Sequence, residues 1–257
     1  MKKLNLLLLA AVAVLCFTAC SSAPKAESEI PSATTVDNSQ NSLDWDGVYS
    51  NVLPCADCEG IQTTIVLNRE NTYQRITRYL GEDPTALTEE GTFKWDEKGR
   101  KIILEGEQTV APRYYLVEEN RLHQLDIDGK EIVTENQEQY FLPKVDDVVG
   151  HYWKLIEVYG TPVPEEMHKE PFLRFQVQDN RLEGNAGCNS LSGRYIIRNG
   201  NRLEIPPLAM TMMACLDMEV ESKMVKALGI VDSYTVLGDT LSLNRARMAP
   251  LAKFIRK

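Results

Sequence analysis

From Trp45 onward, apolar and polar side chains alternate along most of this 257-residue chain, and turn-forming clusters interrupt the pattern at short intervals. Such a period gives each segment one face for a core and one for its surroundings, so the pattern confines the chain to antiparallel β-structure. Ile61, Thr63, Ile65 and Leu67 alternate with Gln62, Thr64, Val66 and Asn68 up to the turn cluster Asn68-Arg69-Glu70-Asn71, and Tyr73 to Leu80 is the natural partner strand. Phe93 and Trp95 alternate before Asp96-Glu97-Lys98-Gly99, further short runs follow at 102–104, 114–117 and 122–125, and Asp128-Gly129 signals a hairpin. About eight strands at hairpin spacing predict a small antiparallel β-barrel or sandwich over residues 44–143.

The stretch 144–150 reads as a boundary, because a fresh strand, Tyr152 to Val158, begins directly after it. The second module, 148–257, continues with short strands at 172–177, 181–183, 195–198, 202–205, 234–237 and 240–243, and ends on an apolar run around Phe254. One segment reads as a helix: Val220, Met224 and Leu228 recur at spacing four, with Asp217 to cap the start and Gly229 to close the end. The expected fold class is therefore mainly β, a barrel followed by an α+β module with one helix laid on a sheet.

Residues 1–19 read as a signal peptide: Lys2 and Lys3 precede an apolar run from Leu4 to Phe17 that is too short to span a bilayer as a helix. Ala19-Cys20-Ser21-Ser22 resembles a bacterial lipobox, with Cys20 as the acylated residue and an outer-membrane address. The segment 20–43, rich in Ser, Ala, Pro and Glu, then reads as a flexible tether with an r.m.s. span of roughly 27 Å. Cleavage leaves 26 basic and 37 acidic residues, so attachment to the membrane falls to the lipid anchor. The same acidity argues against nucleic-acid binding.

Cys55, Cys58, Cys188 and Cys215 remain in the folded part. An even set in an exported chain suggests disulfides, and Cys55–Cys58 with Cys188–Cys215 keeps each pair inside one module. Asp46-Gly47-Val48-Tyr49, then Leu53-Pro54-Cys55-Ala56-Asp57-Cys58-Glu59-Gly60-Ile61, and later Gly91-Thr92-Phe93 with Trp95, resemble the N-terminal domain of the NlpE lipoproteins. That resemblance implies a lipocalin-like barrel and an association with copper tolerance and envelope-stress sensing. Trp153 with Leu155, Gly184-Asn185-Ala186-Gly187-Cys188-Asn189, Gly193 with Tyr195, and Met210-Thr211-Met212-Met213-Ala214-Cys215 resemble the META domain family, which includes the HslJ lipoproteins. That likeness implies an exported α+β module with heat-shock and antibiotic-tolerance associations and no established reaction.

The C-x-x-C turn supports a local structural disulfide, a redox-sensing pair, or capture of Cu(I) by Cys55 and Cys58. Asp57 and Glu59 beside it disfavour a reactive thiolate. Met210, Met212 and Met213 are soft donors close in sequence, so a thioether copper site stands against the plainer reading of gap-filling methionines. His168 beside Met167 could add a ligand. Glu89-Glu90 and Glu165-Glu166 read as solvated surface, and no nucleophile elbow, phosphate loop, dinucleotide fingerprint or zinc-protease motif occurs. The expectation is a non-enzymatic envelope lipoprotein with an envelope protein partner. Its rivals are a carrier of a small apolar ligand, walled by Tyr49, Tyr73, Tyr79, Tyr114 and Tyr115, and a purely structural module. It would face either the periplasm or the cell surface.

Overall fold

The computed structural model describes residues 37–81, 85–106, 113–246 and 248–257. The signal peptide and Cys20 lie outside the described residues. Eight strands, β1 Gly47–Leu53, β2 Gly60–Leu67, β3 Thr72–Leu80, β4 Leu87–Trp95, β5 Lys101–Glu105, β6 Tyr114–Glu118, β7 Arg121–Gln124 and β8 Phe141–Pro143, pair antiparallel in sequence order. The ring is nearly closed, because Tyr49 of β1 bridges Lys144 just past β8 and Val145 donates its N–H to the Val48 carbonyl at 2.7 Å. Alternation aims Tyr49, Ile65, Leu67, Tyr73, Phe93, Ile102, Leu104, Tyr115 and Leu122 inward, where they form one buried cluster. Gly91 is required by close approach of β4 and β5: a Cβ there would lie 2.2 Å from the Glu105 carbonyl oxygen.

One end of the barrel is shut by the chain that leads into it. A single helical turn, α1 Ser39–Ser42, is held by reciprocal bonds between Asn38 and Asn41, a capping box. Gln40 N–H donates to the Gly99 carbonyl, and the Ser39 hydroxyl to that of Val117. Trp45 then packs edge-on against Phe93 and Trp95 beneath the core. The tether read as running to Leu43 therefore gives way at Asn38 to a segment bonded to the barrel's base.

The second sheet is built from β9 Tyr152–Val158, β10 Thr161–Pro162, β11 Phe172–Phe175, β12 Arg181–Asn185, β13 Ser190–Arg194, β14 Ile196–Arg198, β15 Arg202–Glu204, β16 Ala209–Met210, β17 Ser233–Leu237, β18 Thr240–Asn244 and β19 Ala252–Arg256. Its order is β14-β15-β17-β18-β19-β9-β11-β12-β13-β16, with β10 hydrogen-bonded to β9. The helix α2 Glu219–Leu228 buries Val220, Met224 and Leu228 in the same cluster as Trp153, Leu155, Phe175 and Phe254. Its N-cap position is Met218, and Asp217 sits one residue earlier, where its carboxylate accepts the Glu219 N–H at 2.9 Å. Val145, Val148 and Val149 of the connecting stretch are buried in this second core, and Val148 accepts the Trp153 indole N–H at 2.8 Å.

Candidate functional site

The connection from β1 to β2 carries Pro54 to Glu59, and within it Cys55 and Cys58 are bonded, with Cα atoms 5.4 Å apart. The turn lies at the end of the barrel opposite the Trp45 plug, because β1 runs away from its entry at Gly47. Ala56, Asp57, Cys58 and Glu59 line an open depression of about 450 Å3 together with Leu80 and Gly81 at the end of β3. In this oxidised state neither sulfur is a thiolate, so the turn offers no soft anionic ligand until it is reduced.

The second disulfide joins Cys188 to Cys215 with Cα atoms 6.2 Å apart. Beside it lies a clamp that spacing alone did not reveal. Buried Asn189 accepts the Thr211 hydroxyl at 2.8 Å and the Met213 N–H at 2.7 Å through Oδ1, and donates Nδ2 to the Met213 carbonyl at 3.0 Å. Glu221, buried on α2, accepts the Asn189 N–H at 2.7 Å and its amide at 2.8 Å. The helix thus fixes the methionine loop through one carboxylate. The only sequence signal was Asn189 following Cys188.

The methionines of that loop face different ways. Met210 packs against the core, whereas Met212 is 99% exposed and Met213 43%. Among the described residues, no group of three or more His, Cys, Asp and Glu side chains is placed to hold a metal.

Inside the barrel, Arg75 of β3, its side chain 5% exposed, is ion-paired with Glu89 of β4 and donates to the Tyr115 hydroxyl of β6 at 3.3 Å. Glu89 is therefore no surface carboxylate. Strand alternation sends it inward, while Glu90 faces out and accepts the Gln74 amide at 2.7 Å. Burial pushes the Tyr115 phenol up, so it stays a neutral hydrogen-bonding group. Of the proposed wall residues, Tyr49, Tyr73 and Tyr115 are buried in the core, Tyr79 is exposed, and Tyr114 stands against Gly129.

Residues 49–135 match the family model described as NlpE N-terminal domain, and residues 146–257 the META domain. The chain is 37% identical over 99 residues to Lipoprotein NlpE of Escherichia coli, a match spanning 37% of this chain and 39% of that protein. It is 30% identical over 127 residues to the 17 kDa lipoprotein of Treponema pallidum, covering 46% of this chain and 76% of the relative. The crystal structure of the Cpx pathway activator NlpE from Escherichia coli aligns over 67% of this chain and 98% of its own, at 19% identity and a TM-score of 0.30.

Proposed function

Since this chain belongs to the NlpE N-terminal domain family over its first module and to the META domain family over its second, we propose that it is a lipid-anchored bacterial envelope protein that senses envelope stress. In this reading Cys20 carries the acyl anchor and holds the protein to the outer membrane, and the chain catalyses no reaction of its own. The barrel presents the Cys55–Cys58 turn to an envelope protein partner, and reduction or metalation of that turn changes what the partner meets.

The observation that carries the proposal is the position of the bonded pair. It lies on a partly exposed hairpin tip, away from the core, at the end of the barrel remote from the entering chain. A disulfide needed only for stability gains most from closing a long loop, and this one spans three residues. An apolar ligand is disfavoured by the interior, where Ile65, Leu67, Phe93 and Leu122 pack in one cluster and the Arg75–Glu89 ion pair lies directly across from Ile65.

The test is an envelope-stress reporter in cells carrying the native gene, a deletion, Cys20→Ala, or Cys55→Ser with Cys58→Ser. Deletion and the double serine variant should each abolish the response to copper and oxidant, and Cys20→Ala should redirect it. An unchanged response in the deletion strain would overturn the proposal. Cu(I) titration of the reduced protein separates the two triggers: tight binding lost on Cys55→Ser assigns metal, and no binding assigns redox state.

A further inference from the structure

The net negative charge of residues 44–257 is confined to the first module. Residues 44–143 carry ten basic and twenty acidic side chains, whereas 144–257 carry fifteen and fourteen. Within the second module the charges are segregated again by strand alternation. Trp153, Leu155, Leu173 and Phe254 face the core, so their neighbours in β9, β11 and β19 face outward. That outer face carries Lys154, Arg174 and Lys253, flanked by Lys257 and, on β12 and β13, by Arg181 and Arg194. Three carboxylates, Glu157, Glu170 and Glu183, answer these six cations.

Glu170 sits among three hydrogen-bond donors of this face. Hydrogen bonds from Lys257 first, and then from Lys154 and Tyr152, hold its carboxyl at about 2. Apolar groups are set among the cations: Ile156 and Ile255 are exposed, and Tyr152 stacks on Phe172 with ring centroids 4.6 Å apart. A hollow of about 320 Å3, lined in part by Lys154, Ile156, Val163, Glu165, Met167 and Glu170, borders this face, and its Glu165 is a fourth carboxylate beside the six cations.

We propose that the outer face of the β19-β9-β11 sheet is a docking surface for an anionic lipid bilayer, with the cations meeting headgroup phosphates and the isoleucines lying at the headgroup boundary. Net charge alone would have the protein repelled by such a surface. The distribution instead orients it, with the basic face toward the lipid. The inference is independent of the stress-sensing proposal and of the Cys20 anchor.

The test uses the mature chain with Cys20→Ser, so that no acyl group contributes, co-sedimented with vesicles of phosphatidylcholine alone or with about one third phosphatidylglycerol. Binding is expected to the anionic vesicles only, and to weaken as salt screens it. K154Q/R174Q/K253Q should lower the partition coefficient about tenfold or more. K94Q/K98Q/R100Q, which removes the same charge from the barrel, should leave it unchanged. All six side chains lie toward the surface, and an unchanged melting temperature in each variant establishes folding. Equal binding to both vesicle types, equal losses in the two triple variants, or binding to soluble polyphosphate but not to anionic vesicles would each overturn the proposal.

Discussion

His123, on β7, is 3% exposed and stacks edge-on against Phe141, whose other neighbour is the Arg121 guanidinium. Its Nε2 is buried without a protein partner. Burial lowers its pKa below the ordinary 6.5, the nearby Glu118 and Glu131 charges oppose that shift, and Arg121 adds to it. The folded chain therefore keeps this imidazole neutral to lower pH than the unfolded chain, which takes up a proton once the pH drops through about 6.5. A base depressed in the fold contributes stability above that pH and loses it below. The melting temperature of the native protein should accordingly fall between pH 7 and 5, before most carboxylates titrate. His123→Phe, which keeps the aromatic contact with Phe141, should flatten that part of the curve. A parallel fall in both proteins would show that His123 is not its source.

At the scale of elements, the two disulfides differ in what they constrain. Cys188–Cys215 closes a span of 27 residues that contains β13 to β16, and the chain-entropy model assigns such a loop about 3 kcal/mol. Replacing both cysteines by alanine should lower the urea midpoint by a corresponding amount, while the Asn189–Glu221 clamp keeps Met213 in place. The same change at Cys55 and Cys58 should move the midpoint far less, and equal losses would contradict the assignment of that turn to the surface. The strands and α2 were legible because their apolar residues recur with the period of the element, as at Val220, Met224 and Leu228. β13, Ser190–Arg194, was not, because Ser190, Ser192, Gly193 and Arg194 leave Leu191 as its one apolar residue, and neither were the two-residue strands β10 and β16, where no period shows in so short a run. Glu89 was misread for a related reason: adjacent acids look alike in sequence, and only the register of β4 against β3 sends one of them inward.

For the whole molecule, the alternation along β2 was read correctly as a strand but incompletely as an environment. Gln62 and Thr64 are both buried although they alternate with the inward-facing Thr63 and Ile65, because the outer face of β1 to β3 meets the second module instead of water. A period of two cannot separate a face turned to solvent from one turned to another module when the contact is polar, and here it is. Gln62 donates to the Tyr195 carbonyl at 2.9 Å, Asn180 donates to the Thr64 hydroxyl at 2.9 Å, and the Asn199 N–H donates to Asn51 at 2.9 Å. Arg78 ties both sides, with Nη1 on Gln62 Oε1 at 3.3 Å and Nη2 on the Asp179 carbonyl at 2.7 Å. The backbone there is committed to this contact, since Asp179 and Asn180 both adopt positive φ, at 55° and 47°. Val48 of the barrel adds an apolar contact with the second core. Such an interface couples the modules, so the native protein should unfold in one calorimetric transition despite its two cores. Arg78→Ala would take a donor from the buried Gln62 Oε1, a cost of about 1–3 kcal/mol, and would release the Asp179 carbonyl on the other module. Its expected signature is a lower melting temperature together with separation of the endotherm into two. One shifted endotherm would mean that the remaining contacts suffice to couple the modules, and an unshifted one would remove Arg78 from the interface's energetics altogether.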